Sequence, residues 1–172
     1  MKQSATAADF IRNSFSEKID LAIVQGSGIN IADSEFEELF SVKFTDIPGF
    51  PHPTVEGHGG VFSIQRYQGK NNAFFKGRIH YYEGYSMWEV AFPVRLMHHL
   101  KISKVIFTNA AGSVNKEILP GDLVLLKDYI NLVQDNPLIG HPPDTGPRFI
   151  DMSAPFDADM REKAKNILRD LD

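Results

Sequence analysis

The sequence predicts an α/β fold with a mixed central sheet flanked by helices, and three observations carry that reading. The apolar runs DLAIVQ at 20–25 and KVIFTN at 104–109 are short and compact, as buried strands are. Between and around them lie segments whose apolar residues recur at helical spacing, and helices interleaved with buried strands indicate a sheet covered by helices. The run VFSIQRYQ, with turn residues GKNN after it and FKGRIHYYEGY at 75–85 to complete it, has the form of a hairpin.

Taken in chain order, residues from about Ala7 to Ile19 read as a short amphipathic helix, and DLAIVQ is a strand running into a tight loop at GSG. A helix is predicted over Asp33 to Phe40. The loop IPGFPHPTVEGHGG, dense in Pro, Gly and His, leads to the hairpin. Ser86-Met87-Trp88-Glu89 has the form of a capping box and opens a helix through VAFPVRLMHHL, in which Pro93 must cause a kink or a distorted turn. KVIFTN ends in AAG, and DLVLLKDYINL, Asp122 to Leu132, reads as a third buried strand. From Asp157 onward, Met160, Ala164, Ile167, Leu168 and Leu171 follow helical spacing, with Asp157 or Asp159 near the start. That helix runs to Asp172 without a capping Gly or Pro, so the fold is expected to be incomplete at the C-terminus. With no internal repeat, low-complexity segment or linker, residues 1–172 are expected to form a single domain.

The composition suits such a domain: 172 residues, 42% of them hydrophobic and thirteen of them Phe, suffice for a substantial core. A formal charge of −4, with 18 Lys and Arg against 22 Asp and Glu and no charged blocks, argues against a nucleic acid partner. The absence of cysteine excludes disulfides and thiolate metal sites. The N-terminal stretch lacks the apolar core and cleavage site of a signal peptide, and no apolar run is long enough to span a bilayer. A cytoplasmic protein without a membrane partner is expected. The six histidines show neither HxxxH nor HxH spacing and no clustered carboxylates, so no metal site is expected.

Two strand ends share a form, since AIVQGSG and VIFTNAAG both pass from an apolar run into small residues. Small residues at the carboxyl ends of strands let backbone N–H groups approach an anion, and two such ends could hold one phosphate between them. A dinucleotide fingerprint fails, because GSGINI lacks the third glycine. If 75–85 is extended, Arg78, His80 and Tyr82 share one face. Arg78 then supplies a fork of N–H groups able to grip two phosphate oxygens, and His80 a further donor. A solvated surface strand is the plainer account of any one of these residues, though not of the set. Glu83 either buttresses one of the cations or flanks a turn at Gly84. His58, between glycines in EGHGG, suits a mobile lid or a solvated loop. His98 and His99 sit late in a helix, where they favour its dipole. His52 and His141 adjoin prolines and carry no assignment. The long loop from Asn136 to Phe149 is of a kind that is usually functional or pinned by a partner. Its Phe149 either packs on its own domain or reaches across an oligomer interface.

Assembled, these residues closely resemble the purine nucleoside phosphorylases of the trimeric type. The resemblance rests on GSG at 26–28, the loop from IPGFP through TVEGHGG, GRIHYYEGY, FPVR at 92–95, TNAAGSVN at 108–115, GDLVLLKDYINL, and NPLIG with the later RF and MS. It extends from about Ile19 to the end and implies a nucleoside phosphorylase-like fold. The implied activity is that of a pentosyltransferase: a purine ribonucleoside or deoxyribonucleoside and inorganic phosphate give the free base and the sugar 1-phosphate. Carried onto this chain, the resemblance implies that phosphate is bound by Ser27, Arg78, His80 and the backbone amide of Ala110. It makes His58 a mobile group on the phosphate side, counts His58 and Glu83 as catalytic, and puts Tyr82 and Phe149 at the ribose. Phosphate is a co-substrate and no cofactor is implied; the partners are a purine nucleoside and two further copies in a homotrimer. The physics agrees, because a phosphate dianion held beneath C1′ stabilises the oxocarbenium character of the departing sugar. In the family the leaving purine is helped by Glu and Asn residues further along the chain than Asp172, so base preference is not expressed in residues 1–172. Two alternatives accompany this reading: an inactive fragment that binds phosphate or nucleosides or forms oligomers, and the related methylthioadenosine phosphorylases.

Overall fold

In the computed structural model the chain is described at residues 2–26, 31, 35–52, 60–140 and 149–169. Two units divide it, Met1–Ala111 and Gly112–Asp172.

The first unit holds a five-stranded sheet built from β1 (Leu21–Gln25), β2 (Glu37–Lys43), β3 (Val61–Tyr67), β4 (Lys70–Lys76) and β5 (Val105–Phe107), in the order β2-β3-β4-β1-β5. β2, β3 and β4 run antiparallel, whereas β1 lies parallel to both β4 and β5. The sheet is therefore mixed, as expected. Ala22, Val24, Phe62, Ile64, Ala73 and Phe75 alternate onto one face and join a buried cluster with Ala7, Ala8 and Ile11 of helix α1 (Lys2–Ser14) and Phe92, Leu96 and Met97 of helix α3 (Phe92–His99). Phenylalanines knit this layer: Phe44 stacks on Phe50 at 4.2 Å, and Phe50 meets Phe92 edge-on at 5.0 Å. On the opposite face Phe74 is buried against the edge of Phe36, with ring centroids 5.5 Å apart.

Several elements depart from the sequence reading, each for a local reason. Helix α1 begins at Lys2 and stops at Ser14, because the following segment is pinned to the sheet. Glu17 Oε2 accepts from Arg66 Nη2 at 2.9 Å and from Asn71 Nδ2 at 3.1 Å, and Asp20 N–H donates to Asn71 O at 2.8 Å. Of the helix predicted over Asp33 to Phe40, Asp33 and Ser34 lie outside the described residues, and from Glu37 the chain forms not a helix but strand β2 along the edge of β3. A register shift between Glu38 and Phe40 explains the misreading, since the extra residue spoils the two-residue alternation and leaves Phe36, Leu39 and Phe40 at helix-like spacing.

The hairpin is present, but its turn is Gln68-Gly69 and not GKNN. Both residues adopt positive φ, 47° and 73°, as a two-residue turn matched to strand twist requires. Strand β4 therefore starts at Lys70, and the 75–85 stretch contributes only Phe75 and Lys76 to it.

The capping box forms as predicted. Ser86 Oγ accepts from Glu89 N–H at 3.3 Å, Ser86 N–H donates to Glu89 Oε2 at 2.9 Å, and the short helix α2 (Met87–Val90) follows. The helix then breaks at Ala91, which leaves Pro93 in the first turn of α3, where a missing N–H costs nothing. Arg95 lies over the Trp88 ring at 3.8 Å and ties α3 to α2.

In the second unit, helix α4 (Ala158–Arg169) starts where expected, with Asp157 Oδ1 accepting from Met160 N–H at 2.7 Å. The strand predicted over Asp122 to Leu132 is not formed. These residues have no regular secondary structure, none pairs with a described strand, and Leu132 is 86% exposed. A strand exists only through a neighbour's backbone, and an apolar pattern cannot supply that neighbour. No helix among the described residues is long and apolar enough to cross a membrane.

Candidate active site

Strands β4, β1 and β5 are adjacent and parallel, so their carboxyl ends lie along one edge of the sheet. Arg78 follows the end of β4, Gly26 follows β1, and Thr108 follows β5. These three ends are tied together. Gly26 N–H donates to Thr108 Oγ1 at 3.0 Å, Thr108 N–H donates to Val24 O at 3.0 Å, and the Arg78 guanidinium donates through Nη2 to Thr108 O. The packing leaves no room for a side chain at Gly26: a Cβ there would stand 2.3 Å from Thr108 O and 3.1 Å from Arg78 Nη2.

Arg78 is half-buried, its Nε is buried without a hydrogen-bond partner, and among the described residues no carboxylate pairs with it. Burial pulls its pKa below the ordinary arginine value, while the guanidinium remains charged. A partly desolvated cation without a counter-charge among the described residues, at the carboxyl edge of a parallel sheet, is a place where an anion gains more than it would in water.

Beyond Lys76 the 75–85 stretch leaves the sheet, and although the His80 backbone is still extended, Tyr82 lies in a turn, so Arg78, His80 and Tyr82 do not form the alternating face expected of a strand. A 3₁₀ turn at Tyr81–Glu83 intervenes because the Glu83 carboxylate closes it from within. Glu83 Oε1 accepts from His80 N–H at 3.0 Å and lies 3.0 Å from His80 Nδ1, and the Glu83 side chain is only 2% exposed. His80 stacks on Tyr82 with ring centroids 4.7 Å apart, leaving Tyr82 73% exposed. The structure thus groups Arg78 with Gly26 and Thr108, and His80 with Tyr82 and Glu83. Glu83 flanks a turn that Gly84 caps, and its carboxylate also contacts His80.

Ala110 is exposed two residues beyond Thr108. Phe149 lies in the second unit and is 91% exposed. Ser27, His58 and His141 lie outside the described residues. His52 accepts through its backbone carbonyl from the Tyr85 hydroxyl, and His98 and His99 occupy the last turn of α3, where Arg12 donates to His99 O. Among the described residues no group of three or more His, Asp or Glu is placed to hold a metal ion. Sequence reasoning missed Thr108. Its signal was a hydroxyl residue between an apolar run and NAAG, where a side chain can cross-link neighbouring strand ends.

A model of the phosphorylase superfamily matches residues 20–172, which is every element except α1. The chain belongs to the phosphorylase superfamily. Among superfamily members it is 44% identical to purine nucleoside phosphorylase 1 of Bacillus subtilis over 96% of its own length and 61% of that protein's. It is 37% identical to the purine nucleoside phosphorylase of Rattus norvegicus over 95% of its own length and 58% of that protein's. The crystal structure of the Schistosoma mansoni purine nucleoside phosphorylase in complex with inosine superposes with a TM-score of 0.84 at 31% identity, covering 99% of this chain and 61% of that one. The chain thus spans about three-fifths of the length of these superfamily relatives, and the sheet edge carrying Gly26, Arg78 and Thr108 falls within the matched residues.

Proposed function

We propose that this chain is the phosphate- and ribose-binding part of a purine nucleoside phosphorylase, which transfers the pentosyl group of a purine ribonucleoside or deoxyribonucleoside to inorganic phosphate. The observation that carries the proposal is Arg78, a charged, half-buried group without a described counter-ion where three parallel strands end. Membership of the superfamily and the likeness to purine nucleoside phosphorylases, one of them solved with inosine, support the substrate class.

In this reading the Arg78 fork grips phosphate, the amide of Ala110 and the side chain of Ser27 add donors, and His58 approaches from the phosphate side. With His80 Nδ1 engaged by Glu83, Nε2 is the ring nitrogen left to meet a phosphate oxygen. Glu83 thereby acts as the group that orients His80. Tyr82 lies against the ribose, and Phe149 completes the sugar site of a neighbouring subunit in a homotrimer. The anchored dianion then stabilises positive charge developing at C1′ before bonding to it. Phosphate is consumed as a substrate and no cofactor takes part. Both units belong to one domain, in keeping with a superfamily match that spans them, and the protein works in the cytoplasm in purine salvage.

A second reading is binding of phosphate or nucleoside without turnover. Incubating the 172-residue chain with inosine separates the two. Phosphate-dependent release of hypoxanthine establishes phosphorolysis, whereas phosphate binding without release leaves only the binding role.

A further inference from the structure

We infer that Thr108 is a positioning residue, a latch that holds the three strand ends in the arrangement an anion requires. The inference rests on the phosphate reading above but assigns a role to a residue that does not itself belong to the proposed phosphate ligands.

Three features of Thr108 point the same way. Its hydroxyl both accepts and donates in the structure: Oγ1 accepts from Gly26 N–H at 3.0 Å and donates to Val24 O at 3.3 Å. A hydroxyl has one proton to give, so these two bonds fix its rotor and with it the exit of the chain from β1. Its backbone carbonyl receives Arg78 Nη2, and that bond sets the direction in which the rest of the guanidinium faces, including the unpartnered Nε. Its amide bonds to Val24 O at 3.0 Å, which continues the β1–β5 pairing beyond the last residue of β5.

One residue therefore couples the arginine to both strand ends. Gly26 belongs to the same device, because its bare Cα allows Thr108 O and Arg78 Nη2 to close over it. Without the hydroxyl, Gly26 N–H would lose its acceptor, the backbone bond from Thr108 N–H to Val24 O would be left as the tie between these two strand ends, and the carbonyl that aims Arg78 would be less firmly placed. An anion bound afterwards would have to restore that geometry at the expense of its own affinity.

Thr108→Val keeps the shape and removes the hydroxyl, whereas Thr108→Ser keeps the hydroxyl. Two measurements on the full 172-residue chain test the latch: calorimetric titration with inorganic phosphate, and hydrogen exchange of the Gly26 amide by NMR. Thr108→Val is expected to bind phosphate about fivefold more weakly, the factor for one lost hydrogen bond, and to exchange Gly26 N–H faster. Thr108→Ser is expected to restore both, a rescue that a role in mere space-filling would not give. Wild-type affinity and Gly26 protection in Thr108→Val would overturn the latch, and so would equal losses in the Val and Ser variants. If Arg78→Ala loses phosphate while Thr108→Val keeps it, the latch falls and the phosphate reading stands. If the unaltered chain binds no phosphate, the phosphate reading falls and takes the latch with it.

Discussion

The two units of the chain turn similar apolar content to opposite ends. In Met1–Ala111 the phenylalanines Phe44, Phe50, Phe62, Phe74 and Phe75 are all essentially inaccessible to solvent, held between strands and helices. In Gly112–Asp172 the apolar residues Leu123, Val124, Leu125, Leu126, Tyr129, Ile130 and Leu132 are exposed, and no described residue of that unit is buried. Hydrophobicity is common to both. What separates them is backbone pairing: β3 and β4 are joined by a two-residue turn and cover each other at once, while the 122–132 segment has no described strand beside it. Apolar pattern decides which face is buried only after hydrogen-bonded neighbours have made a face.

The widest gap between the units should appear in core truncations. Phe75→Ala is expected to cost about 3–5 kcal/mol by urea denaturation, whereas Ile130→Ala, at an exposed site, should stay within about 0.5 kcal/mol of zero. A large loss from Ile130→Ala would show that the second unit's apolar residues are buried in solution and would break the contrast.

A smaller contrast concerns two serine–carboxylate pairs of the same chemistry. In the first unit Glu89 Oε2 accepts from the Ser86 hydroxyl at 2.7 Å and from Ser86 N–H at 2.9 Å, and these bonds hold its pKa below the usual glutamate value. In the second, Asp151 Oδ1 accepts from the Ser153 hydroxyl at 2.6 Å and from Ser153 N–H at 2.8 Å, again lowering the carboxyl pKa. The sign is the same in both. A pKa depressed by folding contributes stability above the unfolded value, about 4 for such carboxyls, and that contribution disappears as pH falls through the native value. Ser86 also caps α2, so Ser86→Ala is expected to cost about 0.5–1 kcal/mol near neutral pH and to flatten the acid limb of the stability profile. Ser153→Ala, with no helix to cap, should change the profile less. Equal effects in pH-dependent denaturation would remove capping as the distinguishing factor.

Much of the site could be read from residue types alone. Two apolar runs ending in small residues point to Gly26 and Thr108 at neighbouring strand ends, and Arg78 follows the third parallel strand of that group. Three things could not be read. The alternation of Arg78, His80 and Tyr82 assumed an extended chain, but a buried carboxylate at Glu83 bends it within one turn. The bulge in β2 disguised a strand as a helix. Thr108 escaped because its importance lies in partners 82 and 84 residues away in sequence, a relation that only the parallel crossover reveals.

The central claim is that Arg78 holds phosphate at the shared end of three parallel strands. Calorimetric titration of inorganic phosphate into the unaltered chain and into Arg78→Ala tests it most directly. The account predicts that the substitution weakens binding by about 1.5–3 kcal/mol, the range for a charge-assisted hydrogen bond. Equal phosphate affinity in the two proteins would contradict it.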